Sequence, residues 1–184
     1  GDGLQDLVKI QIGSISVWLN HGWGKWGRRT DVTGLPIDDQ SEIERAQLED
    51  LNGDGLADLV VVQGQEIKYA LNRNTDSFNG PFTLRSDDID GELPSRDSDT
   101  TVLFADMNAN GSSDVVWIQR SGQIHYLELS PVRQGLMTKI TNGIGMVTDI
   151  TYATSAQQMA LDGGTNAWRY RLPFPMNVVS RLDK

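Results

Sequence analysis

Three stretches of the chain carry the same order of hydrophobic and polar positions. Leu7-Val8-Lys9-Ile10-Gln11, Leu59-Val60-Val61-Val62-Gln63 and Val115-Val116-Trp117-Ile118-Gln119 are short apolar runs, and each is followed by a glycine. A second run comes next: Ile15 to Asn20, Ile67 to Asn72 and Ile124 to Leu127, in which apolar and polar residues alternate. Alternation with a period of two marks a strand with one buried face, and a glycine between two such runs marks a tight turn. Each copy therefore predicts strand, turn, strand. Weaker strands are predicted ahead of two copies, at Ala46-Gln47-Leu48 and Val102-Leu103-Phe104. Further on, Leu136 to Tyr152 reads as a β-hairpin about Asn142-Gly143. Pro173 and Pro175 bracket Phe174 in a stiff extended piece that feeds a strand at 176–182. The expected class is all-β.

An acidic loop precedes each copy. Asp50-Leu51-Asn52-Gly53-Asp54-Gly55-Leu56-Ala57-Asp58 recurs as Asp106-Met107-Asn108-Ala109-Asn110-Gly111-Ser112-Ser113-Asp114, and Asp2 to Asp6 is the second half of the same motif. Asp2, Asp54 and Asn110 are 52 and 56 residues apart. Loop and strands recur together, which favours a repeat architecture over a two-layer sandwich with chance acidic turns. A unit of this length built from short strands fits a propeller blade. Rings of about 4–8 blades are usual, so two units and a fragment make a partial ring, and further blades are expected upstream.

The loop has the chemistry of a calcium site. Calcium takes roughly 6–8 oxygens from carboxylates, amides, backbone carbonyls and water. Alternate loop positions offer Asp50, Asn52, Asp54, the Leu56 carbonyl and Asp58, with Gly55 at the sharp turn. The third loop offers Asp106, Asn108, Asn110, Ser112 (in the place of Leu56) and Asp114. In the first only Asp2 and Asp6 are present, and weak binding or none is expected there. An EF-hand would need Glu at the twelfth position, where Val61 and Trp117 stand. The chain leaves each loop into a strand, so the ninth-position Asp58 or Asp114 must close the site. This nine-residue form resembles the calcium loops of FG-GAP and VCBS propellers, including those of integrin α chains. Counting carboxylates within each loop predicts tighter binding at 50–58 than at 106–114. The competing reading of Asn-Gly-Asp-Gly is plain turn chemistry. With calcium bound, its role is structural.

The net charge of −9 disfavours nucleic acid as a partner, and no apolar run is long enough to span a bilayer. There is no cysteine, which removes disulfides and thiolate chemistry. Ser86 to Thr100, rich in Asp and Glu, reads as a solvated surface loop. Residues 22–30 combine Trp with basic side chains; local packing is favoured there over sugar binding. No catalytic constellation is present. His21 sits by a glycine-rich turn, His125 lies between two strand residues, and neither Gly-x-Ser-x-Gly nor His-Glu-x-x-His occurs.

After Pro131 the repeat stops. The run LMTKITNGIGMVTDITYATS, followed by RLPFPMNVVSRL, resembles the B component of insecticidal toxin complexes and its SpvB-like and Rhs-associated relatives. The resemblance covers the whole chain and is strongest over 136–182; residues 155–167 depart from the pattern. It implies propeller repeats over 1–131 and a toxin-complex B-type β segment over 132–184 that leads into a β-shell. It further implies a secreted, non-enzymatic docking module, whose partners are a pore-forming A component and a C component, and whose shell encloses a toxic polypeptide. The alternative is a calcium-binding adhesin or lectin-type propeller, in which Trp18, Trp23, Trp26 and Tyr69 would serve as sugar platforms.

Overall fold

The structure is a computed structural model that describes residues 3–74, 76–89, 91–162, 168, 170, 172 and 176–184. Four antiparallel sheets follow one another along the chain. The first holds β1 (Leu7–Gln11), β2 (Ser14–Trp18) and β3 (Thr30–Thr33). After helix α1 (Gln40–Arg45) comes a four-stranded sheet of β4 (Ala46–Glu49), β5 (Asp58–Val62), β6 (Glu66–Asn74) and β7 (Ser77–Arg85). The third contains β8 (Thr100–Ala105), β9 (Asp114–Gln119) and β10 (Ile124–Leu127). The last contains β11 (Lys139–Thr141), β12 (Val147–Thr154) and β13 (Asn177–Asp183), with helix α2 (Ser155–Leu161) between β12 and β13. Among the described residues no sheet closes into a barrel, and no helix is long and apolar enough to cross a membrane.

The repeated pattern becomes repeated geometry. β1–β2, β5–β6 and β9–β10 are antiparallel pairs about the expected turns, and the two weaker strands lie within β4 and β8. Glu49 faces Asp58 and Ala105 faces Asp114. The acidic loops are thus the connections between the first two strands of the second and third sheets.

β5 is buried along its whole length because it is covered on both sides. Leu59 and Val61 join Ile15, Val17, Val32, Leu35, Ile37 and Ala70 in one core. Val60 and Val62 join Leu51, Ile67, Leu93, Val115 and Trp117 in another. Successive strand side chains point to opposite faces, so a single strand serves two cores and the first three sheets stack through them. A fully buried Leu or Val side chain is worth roughly 1.5–3 kcal/mol over an exposed one. The two clusters are therefore the main source of stability in this half of the chain.

The polar segment after β7 is only partly the surface loop expected. Leu93 is buried in the second core, Ile89 packs against it, and Arg96 donates to the Val62 carbonyl. Burial lowers the Arg96 pKa, with Arg45 adding like-charge repulsion. In the 22–30 segment, Arg29 packs over Trp18 of β2, its guanidinium carbon 5.9 Å from the ring centre. Trp26 is half exposed and Trp23 is 99% exposed at a backbone φ of 53°, so the local packing expected of this segment does not extend to Trp23. The predicted hairpin forms between β11 and β12, but across residues 142–146, where the Asn142 N–H reaches the Met146 carbonyl at 3.1 Å. The Pro173-Phe174-Pro175 piece lies outside the described residues.

Helix α1 is anchored by a buried charge cluster that the local sequence does not reveal. Asp39 caps α1 by accepting the Glu42 N–H at 3.0 Å. The helix delivers Glu42, almost fully buried, to Lys68, whose Nζ lies 2.7 Å from it and 2.6 Å from Asp38. Burial works against the Lys68 ammonium, but the two carboxylates outweigh it and its pKa rises. Gln63 donates to the same Glu42 oxygen. A buried charge pair is weak support for stability, yet losing one partner is costly, so this cluster fixes where α1 lies.

Trp117 is almost fully buried, and its Nε1–H has no partner among the described residues. Trp117→Ala is expected to cost about 3–5 kcal/mol in denaturant unfolding. Trp117→Phe keeps most of the apolar volume and deletes the unpartnered donor, so it should cost less than about half of that. Equal losses in the two variants would mean that the indole N–H is satisfied.

The acidic loops as a candidate ion site and inter-sheet junction

The 50–58 loop is organised by its own backbone. The Asp50 carboxylate accepts the N–H groups of Gly53, Asp54 and Gly55 at 2.8, 3.1 and 2.9 Å. Asn52 Oδ1 accepts from Asp54 at 2.9 Å, and Asp54 Oδ1 from Leu56 at 2.8 Å. Short Asp and Asn side chains bonding to N–H groups a few residues ahead make this turn without a ligand. In the 106–114 loop, Asp106 accepts from Asn110 at 3.0 Å and Gly111 at 2.9 Å. Asn108 Oδ1 accepts from Asn110, and Asn110 Oδ1 from Ser112, at 2.9 and 2.7 Å.

The ninth-position carboxylates are buried. Asp58 is 0% exposed; its Oδ2 accepts the Leu51 N–H at 2.9 Å and its Oδ1 the Asn72 N–H at 2.7 Å. It thus ties the loop entrance to β6. Burial pushes its pKa up to about 6, with Asp54 and Asp50 adding to the rise and the two N–H bonds opposing it. The first sheet repeats the device. Asp6 accepts the Asn20 N–H at 2.8 Å, and the Asn20 amide returns to the Gln5 carbonyl at 3.0 Å, as the Asn72 amide does to Ala57 at 3.0 Å. In the third unit the residue at that place is Glu128. Asp114 keeps only the loop-entrance bond, from the Met107 N–H at 2.9 Å. Asp2 lies outside the described residues.

The two complete loops lie against each other. The Asp50 carbonyl accepts the Ser113 N–H at 2.9 Å, and the Asn52 carbonyl the Gln134 N–H at 2.8 Å. The Gly53 carbonyl accepts Arg133 Nε at 2.7 Å. From the last sheet, the Asn177 amide reaches the Asn110 carbonyl at 3.0 Å. A Cβ on Gly53 would lie 2.7 Å from both the Gly111 carbonyl oxygen and Arg133 Cγ. The loops thus join the second sheet, the third sheet, the crossing segment and the last sheet. Arg133, Gln134 and Asn177 were not among the expected site residues, because nothing in their local sequence marks them.

The oxygen donors suit a hard cation such as calcium. In the second loop, however, each carboxylate is turned to backbone N–H groups. Among the described residues no group of three or more His, Asp or Glu side chains gathers closely enough to hold a metal ion.

The family described as the insecticide toxin TcdB middle/N-terminal region matches residues 73–183. The chain belongs to that family. The fold of this TcdB-family chain is also that of part of the crystal structure of TcdB2-TccC3, with a TM-score of 0.79 and 24% identity over 99% of this chain and 9% of that one. A structure of the Photorhabdus luminescens Tc holotoxin pore is similar, with a TM-score of 0.77 and 23% identity over 96% of this chain and 8% of that one. This TcdB-family chain therefore spans less than a tenth of the length of the structures it resembles. No curated protein matches it.

Gly53 and Gly55 both hold positive φ, 74° and 87°, but only Gly53 lacks room for a side chain. Gly55→Ala is expected to cost about 1–2 kcal/mol, from the left-handed backbone alone. Gly53→Ala should cost upward of about 3 kcal/mol, as expected for a steric conflict in a packed junction. Equal melting temperatures for the two would show that the loops separate freely. Asp58 generates a pH effect. Its folded pKa of about 6 stands above the ordinary 3.8, so its contribution to stability is full below pH about 4 and is lost as pH rises through about 6. In chelator, the melting-temperature difference between the native chain and Asp58→Asn should move against the native chain between those pH values. A difference that stays constant would show that Asp58 titrates normally.

Proposed function

We propose that this chain is a non-catalytic structural and docking module of the B component of a secreted bacterial insecticidal toxin complex. In this reading the three repeat sheets are propeller blades that dock on a pore-forming component. The last sheet begins the wall of a shell that encloses cargo together with a C component. The observation that carries the reading is the family membership, with the likeness of nearly the whole chain to part of TcdB2-TccC3. The local physics agrees with a scaffold. Burial is concentrated between stacked sheets, and the loop junction links the repeat sheets to the last sheet through Arg133, Gln134 and Asn177.

Calcium belongs to the same proposal. Asp50, Asn52, Asp54, the Leu56 carbonyl and Asp58 would hold it in one loop, and Asp106, Asn108, Asn110, Ser112 and Asp114 in the other. When bound, the ion supplies positive charge that ties two strands together and relieves repulsion among the carboxylates.

The test is assembly. The full-length protein carrying this chain is mixed with a C component and with a pore-forming component, and the products are sized by light scattering. A complex with both is expected, and combined Arg133→Ala and Asn177→Ala should weaken it by loosening the junction. Failure to bind either component, together with retention on immobilised glycans, would replace this reading with the adhesin one.

A further inference from the structure

The third unit differs from the other two at the residue that follows its β10 strand, and there a buried carboxylate oxygen has no donor. Asn20 and Asn72 each stand 14 residues after the ninth-position Asp and give it a backbone N–H, at 2.8 and 2.7 Å. At the same distance from Asp114 stands Glu128. Asp114 is 0% exposed, and its Oδ1 has no hydrogen-bond partner. Ser112, 2% exposed, has an equally unpartnered hydroxyl. Glu128 meanwhile turns its Oε1 into the loop, accepting from the Asn110 side-chain amide at 2.6 Å and from that of Asn108.

The charges point the same way. Glu128 replaces a neutral Asn, whereas Asn110 removes a carboxylate that the second loop has at Asp54. Three carboxylates, Asp106, Asp114 and Glu128, therefore surround this loop. Among the described residues none of the three forms an ion pair with Lys, Arg or His. A buried carboxylate with an orphan oxygen is expensive unless a proton or a cation joins it. In the second loop both oxygens of Asp58 already have donors.

We propose that the principal cation site of this chain lies at Asp114 in the third loop, and that Glu128, outside the nine-residue motif, is its second carboxylate ligand beside the Ser112 hydroxyl. The ligand class is a hard divalent cation, with calcium preferred because it accepts a mixed, irregular set of carboxylate, hydroxyl and amide oxygens. Three carboxylates do not converge there unaided, so neutral oxygens and water complete the shell. The order expected from counting carboxylates within the loops is then reversed. The inference rests on reading the loops as ion sites and assigns that property to one of them.

The experiment is a calcium titration of the full-length protein at neutral pH by calorimetry, paired with melting temperatures in calcium and in chelator. Native protein should bind calcium and melt higher with it. The near-isosteric Glu128→Gln should weaken binding about ten-fold or more, and Ser112→Ala should weaken it too. Glu128→Asn, which restores the residue of the other units, should raise the melting temperature in chelator and abolish the calcium response. Asp54→Asn, in the second loop, should weaken the response far less than Glu128→Gln does. Loss of the response in Asp54→Asn with retention in Glu128→Gln would overturn the assignment while leaving the loops as ion sites. No calcium response in the native protein would overturn both.

Discussion

The close approach of two glycine turns, Gly53 against Gly111, is the constraint on which the arrangement of the sheets depends. A β-carbon at Gly53 would collide with the Gly111 carbonyl oxygen and with Arg133. With hydrogen there instead, three carbonyls of the second loop accept donors from Ser113, Arg133 and Gln134. Carbonyls of a loop in contact with protein lose water and must find donors. The junction supplies them from the third sheet and from the segment that leaves it. Loop chemistry therefore sets sheet-to-sheet geometry, and the apolar cores on either side of β5 fill the space it defines.

The same loops concentrate negative charge, and the three units handle it differently. In the first and second, the buried or strand-leading Asp is satisfied by a loop or strand N–H, and an Asn amide returns to the carbonyl before the Asp. The third unit lacks the Asn and keeps an orphan oxygen. The motif is shared, but the satisfaction of the buried carboxylate is not.

The last sheet has a different character. β11 to β13 carry many exposed apolar side chains, among them Ile140, Val179 and Leu182, whereas the inner strands of the repeat sheets bury theirs against one another. Its tie to the repeats is polar, through Asn177 to the Asn110 carbonyl. A polar junction between a packed stack and a sheet with open apolar faces agrees with the docking role proposed above.

Much of the fold was legible without coordinates, because the relevant information is local and periodic. The strand pairs, the weaker strands at 46–48 and 102–104, and the acidic turns follow from alternation, glycine spacing and Asx chemistry, which act over a few residues. The hairpin of β11 and β12 was legible too, although its loop is wider than an Asn-Gly turn. What the tertiary structure alone decided involves partners far apart in sequence. Leu93 and Ile89 were lost in an acidic stretch, and their burial depends on the third sheet lying opposite. Glu42 meets Lys68 only because α1 is laid across β5 and β6. Arg133 and Asn177 reach the loops from 80 and 67 residues away, and no local pattern encodes that reach. The loop oxygens can be picked out from the motif, but which of them have donors depends on the strand packed behind each loop. Local sequence determines which turn forms; only the packing around it determines which carboxylate is left without a partner.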